Sequence, residues 1–130
     1  MNMQIVKWIR FVVICLCSSL LLHPVFLGAG KKNGDKGNRG TASFYADKFN
    51  GRTTANGEVF DNSAMTGAHN TLPLGTYVKV TNLRNGRSVI VKITDRLHRN
   101  NTRIIDLTKN AARKLGFLAR GLTRVKVEEV

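Results

Sequence analysis

Three side chains on separate segments of this chain can exchange a proton with a substrate. Glu58 follows the Asn56-Gly57 turn, His69 ends a short apolar run, and Asp95 stands where the strand-like run 88–93 gives way to a polar loop. A strand end is where a rigid frame hands a side chain to a surface loop, a common place for binding and catalysis. The chemistry on offer is general acid–base catalysis. No serine lies in a nucleophile-elbow pattern, and His69 and His98 are too few and wrongly spaced for a metal site, so no metal or cofactor is expected. Asp106 directly precedes a helix-like run, where capping or pairing with Arg96 or Arg103 accounts for it better than catalysis. For Asp95, a salt bridge to Arg96 or Arg103 and a catalytic role stand level on residue types alone.

The elements that must position these groups are mostly strands. Residues 76–81 and 88–94 alternate with period two on either side of Asn85-Gly86, which predicts a hairpin. Residues 41–45 and 65–69 suit short strands, and residues 124–128 alternate strictly. Between the first two lies a polar stretch, 47–62, with turns at Asn50-Gly51 and Asn56-Gly57 and with Arg52, Thr53 and Thr54 between them, suited to a binding loop. Residues 108–116 predict one short helix, capped by Thr108 and stopped by Gly116. Many short strands, one helix and about 90 ordered residues favour a small β-barrel, because closure removes exposed edges.

The first 30 residues have another character. Lys7 and Arg10 precede an uncharged apolar run, 11–22, and Gly28-Ala29-Gly30 precedes Lys31-Lys32, the order of a secretory signal peptide. Its apolar centre is short of the roughly 20 residues a membrane span needs. Both cysteines, Cys15 and Cys17, fall inside it, so the mature domain is expected to lack cysteine. Residues 31–39 are polar and glycine-rich, a flexible lead-in, and the domain is expected over 40–130. The chain carries 21 basic and eight acidic residues, and loss of the first 30 leaves 19 basic against eight acidic, a net +11. Such a field draws polyanions; an exported protein meets cell-wall polymers and anionic lipid before nucleic acid.

Six segments in order carry a resemblance. Gly40-Thr-Ala-Ser-Phe-Tyr45, Gly51-Arg-Thr-Thr-Ala-Asn-Gly-Glu58, Ala68-His-Asn-Thr-Leu-Pro73, Val80-Thr-Asn-Leu-Arg-Asn-Gly-Arg-Ser88, Thr94-Asp-Arg96 and Arg103-Ile-Ile-Asp-Leu107 resemble the RlpA family of bacterial septal-ring lytic transglycosylases. The resemblance runs from about Gly40 to Val127. It implies a mainly β fold, a six-stranded double-psi β-barrel with one short helix, shared with expansins, barwin-like proteins and family-45 endoglucanases. It further implies a groove for a glycan strand, with Asp95, Glu58 and His69 as the groove residues tied to activity and Asp106 as part of the fold. Tyr45, Arg52, Thr54, Asn56, Arg96 and His98 are the candidates for holding the sugar.

The implied reaction cleaves the β-1,4 bond between N-acetylmuramic acid and N-acetylglucosamine without water and leaves a 1,6-anhydro end, with a preference for glycan stripped of stem peptides. One carboxyl can serve both halves of such a reaction, first as acid and then as base. The expected setting is the periplasm or envelope of a bacterium, with the protein a monomer on peptidoglycan and no nucleic acid partner. In three respects the chain departs from that family's pattern: Leu97-His98 replaces the usual Gly-Pro after Asp-Arg, and neither the C-terminal peptidoglycan-binding domain nor the lipid-bearing cysteine of some members is expected. The competing reading is a non-catalytic wall-binding module of the expansin or barwin kind.

Overall fold

The computed structural model describes residues 37–130; the signal peptide expected over 1–30 and most of the lead-in expected over 31–39 lie outside the described residues. Alternation decides most of what forms. In β3 (Tyr77–Asn82) Val78 and Val80 face inward and Tyr77 and Lys79 outward, and in β4 (Ser88–Asp95) Val91 and Ile93 are inward. The two pair antiparallel around the Asn85-Gly86 turn, with Thr81 opposite Ser88 and Tyr77 opposite Lys92, as the sequence predicts. β1 (Asn38–Phe44) starts three residues ahead of the strand expected over 41–45 and ends one residue earlier. β2 (Thr66–Ala68) and β5 (Ile105–Leu107) are three residues each, and β6 (Thr123–Glu129) closes the set.

The six strands make a closed barrel in the order β1-β5-β2-β4-β3-β6. The β1–β5 and β2–β4 pairs are parallel and the other pairs antiparallel. The interior holds Ala42, Val78, Val80, Val91, Ile93, Ile105, Leu107, Val125 and Val127, and the apolar face of helix α1 (Lys109–Leu115) adds Ala111, Ala112 and Leu115. Phe117 is fully buried and meets Phe44 edge-on, with ring centroids 5.9 Å apart. Each buried Val, Leu, Ile or Phe among these contributes about 1.5–3 kcal/mol on leaving water, so the core rather than the helix's own propensity keeps seven residues helical.

The ends of α1 are built as expected. Thr108 accepts from the Ala111 N–H and donates to the Ala64 carbonyl at 2.6 Å. Gly116 ends the helix at φ 78°, a left-handed conformation that a side chain disfavours. Next to it the Leu115 carbonyl accepts from the amides of Asn82 and Asn85, both at 2.9 Å, which ties the hairpin turn to the helix end. No helix among the described residues is long and apolar enough to cross a membrane.

Candidate functional site

Asp95 owes its direction to a β-bulge. Thr66, Gly67 and Ala68 of β2 pair with Lys92, Ile93 and Asp95 of β4, so Thr94 is an extra residue on β4. Ile93 and Thr94 are both buried, and Lys92 and Asp95 therefore both face out. Strict alternation from Val91 and Ile93 would have turned Asp95 into the barrel; the extra residue re-aims it.

Both carboxylate oxygens of Asp95 are engaged. Oδ1 accepts from the N–H groups of Ala55 and Arg96, at 3.1 and 2.9 Å, and Oδ2 accepts from the Tyr45 hydroxyl at 3.3 Å. Tyr45 follows β1 and is fixed by rings: Phe60 lies at 4.7 Å and Phe49, in the 3-10 turn Asp47–Phe49, at 5.7 Å between centroids. Burial, then the charges of Asp95 and Asp106, push the Tyr45 phenol well above its usual range, so it remains a neutral hydroxyl.

The loop carrying Glu58 is pinned to β4. Asn56 donates its N–H to the Thr94 carbonyl at 3.0 Å, and Gly57, at φ 87°, lets the chain turn so that the Thr54 N–H reaches the Glu58 carbonyl at 2.8 Å. Thr54 is buried and its hydroxyl holds the turn, 2.5 Å from Asn56 Oδ1 and 3.0 Å from the Glu58 carbonyl. The Glu58 carboxylate is exposed on the rim and bonded to Lys92 Nζ at 2.6 Å. That hydrogen bond, aided by the lysine charge, lowers the Glu58 pKa below the ordinary range. Arg52 lies over the Phe49 ring at 5.0 Å, an exposed planar cation beside the same loop.

His69 is 4 % exposed. Its Nδ1 accepts from the N–H groups of Thr71 and Leu72, both at 3.2 Å, which leaves the ring proton on Nε2. Nε2 is buried without a partner. Burial, and then the charge of Arg96, depress the His69 pKa, so the ring is neutral at pH 7. The His69 backbone is joined to the aspartate strand from both sides: its N–H donates to the Asp95 carbonyl at 3.1 Å, and its carbonyl accepts from Arg96 Nη1 at 3.0 Å. The same Nη1 reaches the Leu72 carbonyl at 2.6 Å.

Neither arginine proposed as a partner for the Asp95 side chain provides a side-chain bond to it. The Arg96 guanidinium caps the 69–72 turn, and Arg103 binds Asp106 through Nε at 2.7 Å and Nη2 at 3.1 Å. Ser43 also donates to Asp106, in the same cross-strand row, so the structural reading of Asp106 agrees with its contacts. His98 is exposed, and its Nδ1 accepts from the Asn100 N–H within its own loop. Leu97, in place of the usual glycine, is buried.

Sequence reasoning missed Lys92, Phe49, Phe60 and the Ala55 amide. Lys92 alone left a trace, as an outward-facing base on the strand that leads to Asp95. Among the described residues no three His, Cys, Asp or Glu side chains converge where a metal ion could bind.

Residues 38–127 match the family described as lytic transglycolase. The endolytic peptidoglycan transglycosylase RlpA of Pseudomonas aeruginosa is 56% identical over 91 residues, which are 70% of this chain and 27% of that protein. The protein of the same description from Neisseria meningitidis is 50% identical over 91 residues, 70% of this chain and 38% of its own length. The chain thus spans between about a quarter and two fifths of the relatives it matches. Among solved structures, the Streptomyces papain inhibitor superposes with TM-score 0.58 at 27% identity, over 72% of this chain and 94% of the inhibitor. An apo expansin from Clavibacter michiganensis superposes with TM-score 0.58 at 24% identity, over 72% and 50% of the two chains, which shows a common fold. With the closed barrel, the bulged aspartate and a family match over most of its length, the chain belongs to the RlpA-like lytic transglycolase family of double-psi β-barrels.

Proposed function

We propose that this protein is an exported endolytic peptidoglycan lytic transglycosylase. It works as a monomer in the periplasm or cell envelope and cleaves the β-1,4 N-acetylmuramic acid–N-acetylglucosamine bond of denuded glycan to give 1,6-anhydro ends. One observation carries the reading: the two oxygens of Asp95 are treated unequally. Oδ1 faces two N–H groups, which can only donate, whereas Oδ2 faces the Tyr45 hydroxyl, which rotates to donate to a carboxylate or accept from a carboxylic acid. A proton on Asp95 therefore belongs on Oδ2, and losing or regaining it breaks no contact.

In the first half of the reaction the Oδ2 proton passes to the glycosidic oxygen as its bond to C1 breaks, releasing the N-acetylglucosamine hydroxyl. In the second half the C6 hydroxyl of N-acetylmuramic acid forms the new bond to C1 and gives its proton to Oδ2. Asp95 returns to its starting state and no water is consumed. Tyr45 follows the proton without losing its own, because its pKa is raised.

Glu58, ionised on the rim, faces the positive charge that develops on the sugar ring and orients its hydroxyls. Asn56 and Arg52, on the same loop, complete that wall. His69 is a positioning residue: its Nδ1 is taken up by the Thr71 and Leu72 N–H groups, its Nε2 is buried, and it orders the carbonyls that hold Arg96 beside Asp95. The Thr54 hydroxyl likewise shapes the loop.

A second reading, a non-catalytic glycan-binding module, draws support from the Glu58–Lys92 pair, in which the lysine charge offsets that of the ionised rim carboxylate. Digestion of purified glycan strands with mass spectrometry of the ends separates the two. Anhydro-muramyl ends are expected; glycan binding with no such ends overturns the enzymatic reading in favour of the module.

A further inference from the structure

We infer that the end of the barrel remote from Asp95 is an attachment surface for an anionic phospholipid membrane. A cleft of about 350 Å³ there is lined by Thr41, Arg84, Arg120, Leu122, Thr123 and Arg124. Its three arginines come from the β3–β4 turn, the turn after α1 and the start of β6. They are drawn together by the bond from the Leu83 N–H to the Arg124 carbonyl and by the Phe117 carbonyl, which accepts from Arg120 and Gly121.

Among the described residues, none of these three guanidiniums has an ion pair or hydrogen bond. Nearby cations have structural work that these lack: Arg113 and Lys114 complement the negative end of α1, and Arg87 packs against Gly116. Three like charges around one cleft repel one another, and the fold gains nothing from gathering them unless an anion sits there.

The charge around the cleft is one-sided. Residues 82–87 and 113–124 hold Arg84, Arg87, Arg113, Lys114, Arg120 and Arg124 and no acidic residue. Of the acidic side chains of the described chain, Asp47, Glu58 and Asp61 lie in the 47–62 stretch, Asp95 at the end of β4 and Glu128 and Glu129 at the far end of β6, while Asp106, on β5 beside Ser43, is already paired with Arg103.

Apolar exposure decides between a soluble phosphate polymer and a membrane. Leu83 is 39 % exposed beside Arg84, and Leu122 is 49 % exposed within the cleft. Leucines interleaved with arginines suit the interface of a bilayer, where guanidiniums fork onto lipid phosphates and leucines enter the acyl boundary. Asp95 lies seven residues along β4 from Ser88 at the hairpin turn, roughly 20 Å at the rise of a strand. Seated this way, the barrel presents Asp95 away from the lipid, toward the wall.

Hydrogen exchange of the full chain, read by peptide so that the N-terminal apolar run is observed separately, tests this. With vesicles containing phosphatidylglycerol, protection is expected over 82–87 and 117–124 but not around Asp95, and with pure phosphatidylcholine at neither place. Each basic residue near an anionic leaflet is worth about five-fold in binding, so Arg84→Gln, Arg120→Gln and Arg124→Gln together should raise the half-protecting vesicle concentration on the order of 100-fold. The same variant should digest soluble glycan at the unmutated rate. Equal protection by neutral vesicles, or protection that survives the triple substitution, overturns the proposal. Protection by linear polyphosphate but not by anionic vesicles also overturns it, and makes the cleft a site for a phosphate polymer.

Discussion

His69 gives the sharpest test, because acid–base chemistry and positioning predict different consequences for the same substitutions. His69→Phe fills the space of the ring but offers no acceptor to the Thr71 and Leu72 N–H groups. Those groups are part-buried, so we take the low end of the cost of an unsatisfied donor, about 1 kcal/mol each and about 2 kcal/mol together. For a domain of this size a loss of 2 kcal/mol lowers the melting temperature by roughly 10 °C. Turnover should fall as well, since the carbonyls that hold Arg96 belong to the same turn. His69→Asn restores an acceptor close to the position of Nδ1, as asparagine does in turns, yet cannot titrate. Most of the stability and most of the release of anhydro ends should return.

The pH dependence separates the readings further. The His69 pKa is depressed from 6.5 by burial and by Arg96, so below pH 6.5 the unfolded chain binds a proton that the folded chain refuses. Its contribution to stability is complete above pH 6.5 and is lost as the pH falls toward the lower folded pKa, at no more than about 1.4 kcal/mol per pH unit for one proton. The carboxylates of Asp47, Glu58 and Asp61, all with lowered pKa, act in a more acidic range, which leaves the interval below pH 6.5 to His69. Urea unfolding between pH 5 and 8 should show this slope, and His69→Asn should flatten it while leaving the pH profile of turnover unmoved. A His69→Asn variant that stays folded but is as inactive as His69→Phe would mean that the imidazole exchanges protons with substrate, and the positioning role would be wrong.

Asp95→Asn keeps the size of the side chain but cannot shuttle a proton, so release of anhydro ends should drop by about 10²-fold or more, with glycan binding and melting temperature largely kept; near-normal release would end the assignment. Tyr45→Phe removes the group that follows the proton on Oδ2 and should lower kcat with little change in KM, whereas an effect on KM alone would make Tyr45 a sugar contact. Asp106→Asn weakens the paired bonds from Arg103 and should appear first as a melting temperature lower by several degrees, checked by calorimetry. Lys92→Met should return the Glu58 titration, followed by NMR, from its depressed position toward the usual range near 4.3, and an unmoved titration would place the cause elsewhere.

The parts of the fold that are legible in the sequence are those held by local rules. Residues 76–94 declare a hairpin through period two and Asn85-Gly86, and Thr108 and Gly116 bracket α1, because turn and cap chemistry acts over a few residues. β2 and β5, at three residues each, are too short to show a period, and their parallel partners lie far away in sequence. Nothing local to Ile105 or Leu107 says that they belong to a strand at all. The resemblance supplied the six-stranded barrel that alternation alone left unspecified. Site geometry was hidden for the same reason: Glu58 and Lys92 are 34 residues apart, and His69 is tied to Arg96 over 27.

Asp95 shows how a sequence rule can fail at the residue that matters most. Alternation through Val89, Val91 and Ile93 assigns Asp95 to the interior, where an unpaired carboxylate would be costly. The fold resolves the conflict by burying Thr94 as an extra residue, whose carbonyl then receives the Asn56 N–H. That bond draws the loop of residues 54–58 against β4, and the Ala55 amide is thereby delivered to Oδ1. The bulge thus does two things at once: it turns the carboxylate outward, and it brings the amide that leaves Oδ2 as the oxygen free to carry a proton. Restoring strict pairing to β4 would remove both together, which is why the irregularity belongs to the site and is not a defect in the sheet.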